Sequence, residues 1–260
     1  MSINNLPQAF RPVEDSIFYD WVENSCHGSL ESLSRYVPPV FKSYVHICPP
    51  AWQYPENFIL PSHPDYNYEV ALAQTKQMIP TRWSAVAKAN SLKFDGKACW
   101  GEIGPEIDYS HPKPGDISYP LEGTTTIEAV NAVENAIATV TAPEDTCIFA
   151  IWDGFDVMCL EQAYLSKTLI RRMSQPAHWV LQAPRAILFD YWRTTVDDRD
   201  YINPSWTPQA VWCPKQQWFY AVPFARLASF FGGSKAMAKI LLETEEIESY
   251  PLPEGHIFKY

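Results

Sequence analysis

Proline constrains this chain more than any other residue: there are 23 prolines against 10 glycines. A proline fixes φ and has no N–H to give, so helix interiors and central strands exclude it. Clusters at Pro38-Pro39, Pro49-Pro50, Pro61 to Pro64, Pro105 to Pro120 and Pro204 to Pro214 therefore cut the chain into short elements. Residues 101–123 are dense in Gly, Pro, Asp and Ser and read as one long loop inside a domain.

Hydrophobic spacing between the prolines gives the elements. Leu30 and Leu33 predict a helix over Ser29 to Arg35, and the β-branched and aromatic run Val40 to Cys48 predicts a strand. Residues 49–67 read as a loop, and Thr81 to Ala89 as a short helix capped by Thr81. Thr125-x-x-Glu128 has the form of a capping box, and Ile127, Val130, Val133, Ile137 and Val140 continue it as one apolar stripe that Pro143 ends. Cys147 to Trp152 is continuously apolar, as in a strand buried on both faces. Trp179 to Gln182, Ala186 to Trp192, Trp218 to Val222 and Ile247 to Leu252 also read as strands. Ser234 caps a helix to about Glu243. Strands follow one another directly in the second half. The expected fold is therefore α+β: a single domain over residues 1–260 with a mixed, mainly antiparallel sheet covered by a few helices.

Charge narrows the partners. The formal net charge is −10, which repels nucleic acid and anionic membranes and attracts a basic protein. No apolar run reaches membrane-spanning length, and Met1 to Phe10 lacks the pattern of a secretory leader, so a cytoplasmic protein is expected. The cysteines Cys26, Cys48, Cys99, Cys147, Cys159 and Cys213 are dispersed and read as buried free thiols. Cys26-His27, His46-x-Cys48 and His63 do not have metal-ligand spacing, and Phe231-Gly-Gly-Ser-Lys235 is too short for a phosphate-binding loop. No cofactor and no metal are expected.

Two constellations remain. Trp152-Asp153-Gly154-Phe155-Asp156 ends the apolar strand, where loops place functional side chains. Asp190-Tyr191-Trp192-Arg193, followed by Asp197, Asp198 and Asp200, is the densest acidic run. On a strand, Asp190 would share a face with Trp192, and Tyr191 with Arg193. The candidate binding residues are thus Trp152, Asp153, Asp156, Asp190, Tyr191, Arg193, Asp197, Asp198 and Asp200.

Six stretches follow in an order that resembles a group of bacterial proteins common in actinobacteria with no established activity. They are Val37 to Tyr44, Thr81 to Ala87, Cys147 to Phe155, Ala186 to Asp190, Gln217 to Phe224 and Gly232-Gly-Ser234. The likeness implies a bacterial cytoplasmic domain and carries over no site residue. Trp152-Asp-Gly154 is similar to a stretch of the SMI1/KNR4-type immunity proteins. The leading expectation is a protein-binding inhibitor, an immunity protein that neutralises a basic toxin. The alternatives are an enzyme on a small or carbohydrate substrate, with Asp153, Asp156 or Asp190 as acid or base, and a structural subunit of an assembly.

Overall fold

The computed structural model describes residues 9–59, 63–65, 67–105, 112–120, 123, 125–152, 170–172, 177–197, 207–223 and 226–259. In chain order the elements begin with β1 (Arg11–Pro12), α1 (Ile17–Ser25), β2 (Ser43–Cys48), β3 (Ala51–Gln53), α2 (Tyr68–Gln77), β4 (Ile79–Thr81) and α3 (Trp83–Ala89). There follow α4 (Trp100–Ile103), β5 (Ile117–Ser118), α5 (Ile127–Ile137), β6 (Thr146–Trp152), β7 (Ile170–Arg172) and β8 (Ala177–Pro184). The last are α6 (Arg185–Asp197), β9 (Ala210–Trp212), β10 (Phe219–Ala221), β11 (Ser229–Gly233), α7 (Lys235–Glu243) and β12 (Glu248–Leu252).

The fold is α+β. One nine-stranded sheet runs β1-β8-β6-β9-β10-β11-β2-β12, with β7 also on β8, and a small sheet runs β4-β3-β5. Every pairing between the described strands is antiparallel. The prolines obey the rule that predicted them. Pro12, Pro80 and Pro251 sit in edge strands, where no neighbour needs their missing N–H, and Pro184 is the last residue of β8.

The large sheet is buried on both faces. Along β6, Cys147, Phe149 and Ile151 enter one core and Ile148 and Ala150 the other, the period-two alternation of a strand. The first core is roofed by α5, α6 and α7, through Val133, Leu188, Trp192 and Leu241. The second holds the shorter α1, α3 and α4, through Val22, Trp83 and Trp100.

Several boundaries differ from those expected. Helix α5 is capped one residue later, by the Thr126 hydroxyl accepting from the Ala129 N–H at 3.2 Å, while the Thr125 hydroxyl lies 2.9 Å from that of Tyr220. Thr81 belongs to β4. The first amides of α3, on Trp83 and Ser84, are instead accepted by the distant Glu248 carboxylate at 2.5 and 2.8 Å. The predicted helix over Ser29 to Arg35 is reduced to a 3-10 turn at Leu33–Arg35. Residues 101–123 are not wholly loop, since they include the end of α4 and all of β5.

The largest correction is the predicted strand Ala186 to Trp192, which lies in the first part of α6. Leu188, Phe189, Trp192 and Val196 recur at helical intervals and all meet the core. The mixture of aromatic and β-branched residues imitates a strand, but this spacing decides the structure. The strand β8 runs straight into α6, whose first two amides donate to Asp145 O and Pro143 O at 2.8 and 3.0 Å.

Candidate functional site

Helices α5 and α6 lie side by side and are joined by a linked group of charges. Because α6 is a helix, Asp190 and Arg193 stand three residues apart on one face, and the strand alternation expected for residues 190–193 is overturned. The Arg193 guanidinium donates to Asp190 Oδ1 at 2.5 Å and to Glu134 Oε2 of α5 at 2.5 Å, with Asn131 Oδ1 at 3.3 Å. Glu134 also faces Arg185 at 3.9 Å. Burial works to lower the pKa of Arg193, but its bonds to Glu134 and Asp190 outweigh this and the net shift is upward.

The two acids of this cluster have different tasks. The side chain of Glu134 is 18% exposed and joins two arginines, so it is structural. That of Asp190 is 74% exposed and shows an oxygen to solvent. Glu128, one turn before the Asn131–Glu134 segment of α5, is also exposed.

The other expected site residues fall elsewhere. Trp152 ends β6, half-buried against the core under α5–α7. Tyr191 is no exposed anchor: its ring packs edge-on against Phe10 at 5.0 Å, and burial pushes its hydroxyl pKa up. Asp197 is the last residue of α6. Asp153, Asp156, Asp198 and Asp200 lie outside the described residues. The chain nevertheless leaves β6 at Trp152 and enters β9 at Ala210 from one end of the sheet, since Ala150 pairs with Ala210 and accepts from the Gln209 N–H at 2.7 Å.

Two buried polar groups lie apart from these residues; the first has no counterpart in the sequence analysis. Tyr220 OH donates to Ser229 Oγ at 2.9 Å, and Ser229 Oγ donates to Ile47 O at 3.4 Å. Thr125 completes this chain of hydroxyls. The second group is His46 and Cys48, on β2. His46 Nδ1 lies 2.7 Å from Gly96 O, and a carbonyl can only accept, so Nδ1 carries the proton. Its bare Nε2 then faces the Cys48 thiol at 3.7 Å. Burial lowers the His46 pKa to about 4 and raises that of Cys48, so both shifts favour neutral forms. A thiol beside a neutral imidazole, packed among Trp83, Phe230 and Phe258, is a structural pair rather than an activated nucleophile. The hydroxyl chain has no local signal, because it is assembled from strands distant in sequence; His46-x-Cys48 is visible in the sequence, but the tie from His46 to Gly96 O is not.

Cys26, Cys48, Cys147 and Cys213 are buried free thiols, Cys99 is half-buried and free, and Cys159 lies outside the described residues. Among the described residues no three His, Cys, Asp or Glu side chains are grouped to hold a metal, and no helix is long and apolar enough to cross a membrane. Comparison with protein-family models, curated proteins and solved structures gave no match.

Proposed function

We propose that the chain is a protein-binding inhibitor of a basic protein, acting as an immunity protein that occludes a basic toxin. The observation that supports this reading is the α5–α6 face. There the exposed carboxylates Glu128 and Asp190 stand on two packed helices, and Arg193 limits the freedom of Asp190. A carboxylate held before binding loses less entropy when it meets a lysine or arginine. The overall charge of −10 steers a cationic partner towards it.

The test is capture of partners from a lysate of the source organism on the tagged chain, beside a Glu128→Lys/Asp190→Lys variant. The reading predicts one stoichiometric basic protein, eluted by salt. The variant retains it at least ~10-fold more weakly, chiefly through a slower association rate. A chain that retains no basic protein, or a variant that retains it equally well, contradicts the proposal.

A further inference from the structure

Two of the buried thiols stand against each other. Strands β6 and β9 pair antiparallel, with Ala150 opposite Ala210, Phe149 opposite Val211 and Ile148 opposite Trp212. One step further along the same register brings Cys147 opposite Cys213. Both side chains enter the core under α5–α7, at 0% and 3% exposure, and both are free thiols. Burial pushes the Cys147 thiol pKa up, and Cys213 adds to that shift as a close neighbour does.

The pairing is of the kind that a disulfide can span. The Cys213 carbonyl accepts from the Gln216 N–H at 3.0 Å, within the turn that leads to β10, and so points away from β6. Cys147 and Cys213 therefore face each other without backbone hydrogen bonds between them. In antiparallel pairs of this class the Cα atoms are about 4.5 Å apart. Disulfides join Cα atoms roughly 4.4 to 6.8 Å apart. Among the described cysteines no other two occupy facing positions on paired strands.

We propose that Cys147 and Cys213 are a redox pair, which exchange with a small disulfide such as oxidised glutathione converts into a bridge between β6 and β9. Cys213 leads, because Lys215, Gln216 and Gln217 of the turn beside it are exposed, and the Gln217 N–H donates to its Sγ at 3.1 Å, which suits a thiolate. Opening of this turn admits the small disulfide. The Cys213 thiolate attacks one of its sulfurs, forms a mixed disulfide and releases one thiolate. The Cys147 thiolate, which the Arg185 charge favours, then attacks the Cys213 sulfur and releases the second. The two protons of the protein thiols pass to the released thiolates. The pair loses two electrons and the small disulfide gains them. The bridge closes residues 148–212 into a loop, and it stands whether or not a basic partner binds the α5–α6 face.

The test places the folded chain in buffers of rising oxidised-to-reduced glutathione ratio, followed by acid quench, alkylation of free thiols and peptide mass mapping. The expected product is a peptide pair joined through Cys147 and Cys213 that dithiothreitol separates again. Cys147→Ser and Cys213→Ser should each lose it, and Cys99→Ser should keep it. The bridged chain should melt at least ~5 °C above the reduced one, because the closed loop restricts the unfolded chain. Refolding the reduced, urea-unfolded chain in the same buffers removes any barrier of access. No Cys147–Cys213 bridge after refolding, or a bridge from either cysteine to Cys99 or Cys159, would overturn the pairing. A bridge that forms on refolding but never in the folded chain, or a bridged chain no more stable than the reduced one, would overturn the switch.

Discussion

The two faces of the large sheet are covered in different ways. On one, α5 and α7 start at their own side-chain caps, Thr126 and Ser234, and lay continuous apolar stripes on the strands. On the other, short helices and irregular segments are tied down by polar groups from far along the chain. Glu248 caps α3, Trp83 Nε1 donates to Pro49 O at 2.7 Å, Trp212 Nε1 donates to Phe18 O at 2.9 Å, and His46 holds Gly96 O. On the first face α5 and α7 start from local signals, whereas the second face is held mainly by long-range ones. Where a segment is too short to be a stable helix alone, tertiary contacts supply its stability.

Substitutions can break this comparison. The largest effect is expected from Trp83→Ala on the irregular face. Trp83 is 1% exposed and packs against His46, Phe94 and Trp100, so its truncation should cost about 4 kcal/mol in urea unfolding. A cost below that of a surface change would mean the α3–α4 layer contributes little.

The next effect follows pH. Burial lowers the His46 pKa from 6.5 to about 4, so the unfolded chain takes up a proton that the folded chain refuses. This contribution is fully present above pH 6.5 and is lost as pH falls towards 4, by about 3 kcal/mol in all. Unfolding free energy measured across that range should fall more steeply in the wild type than in His46→Asn. Equal slopes would remove His46 as the cause.

On the locally capped face the effects are smaller. Thr126→Ala should cost about 1 kcal/mol, the ordinary value of an N-cap. A loss as large as that of Trp83→Ala would erase the contrast between the faces. The smallest effect belongs to Glu128→Lys/Asp190→Lys, which should change stability by about 0.5 kcal/mol or less because exposed ion pairs contribute little. A large loss of thermal stability would make the α5–α6 charges part of the fold rather than a free surface.

The same division explains what was legible in the sequence. Helices α5 and α7 and strands β6 and β12 announce themselves through caps, stripes and alternation; α7, β6 and β12 appear within a residue or two of their expected limits, whereas α5 ends at Ile137, short of the expected stripe to Val140. Helix α6 was legible in principle, because Leu188, Phe189, Trp192 and Val196 keep a helical period, but its β-branched and aromatic composition pointed to a strand. That misreading also separated Asp190 from Arg193, which the helix brings together. Glu134 could not be linked to either from the sequence, since the link crosses from α5 to α6. Glycine carried a further unreadable signal. Gly96 adopts φ +81 and leaves no room for a Cβ beside Tyr250, so its carbonyl can reach His46, and only the folded chain shows that need.

The most direct test of the contrast is a paired urea titration of Glu248→Ala and Ser234→Ala. Each removes one helix cap, but Ser234 is local to its helix and Glu248 reaches α3 across 164 to 165 residues from a site 8% exposed. Losing Glu248 leaves two amides without their acceptor, so the expected losses are about 3 kcal/mol for Glu248→Ala and about 1 kcal/mol for Ser234→Ala, with unchanged slopes. Equal losses, or a smaller one for Glu248→Ala, would show that the irregular face does not depend on its long-range polar ties.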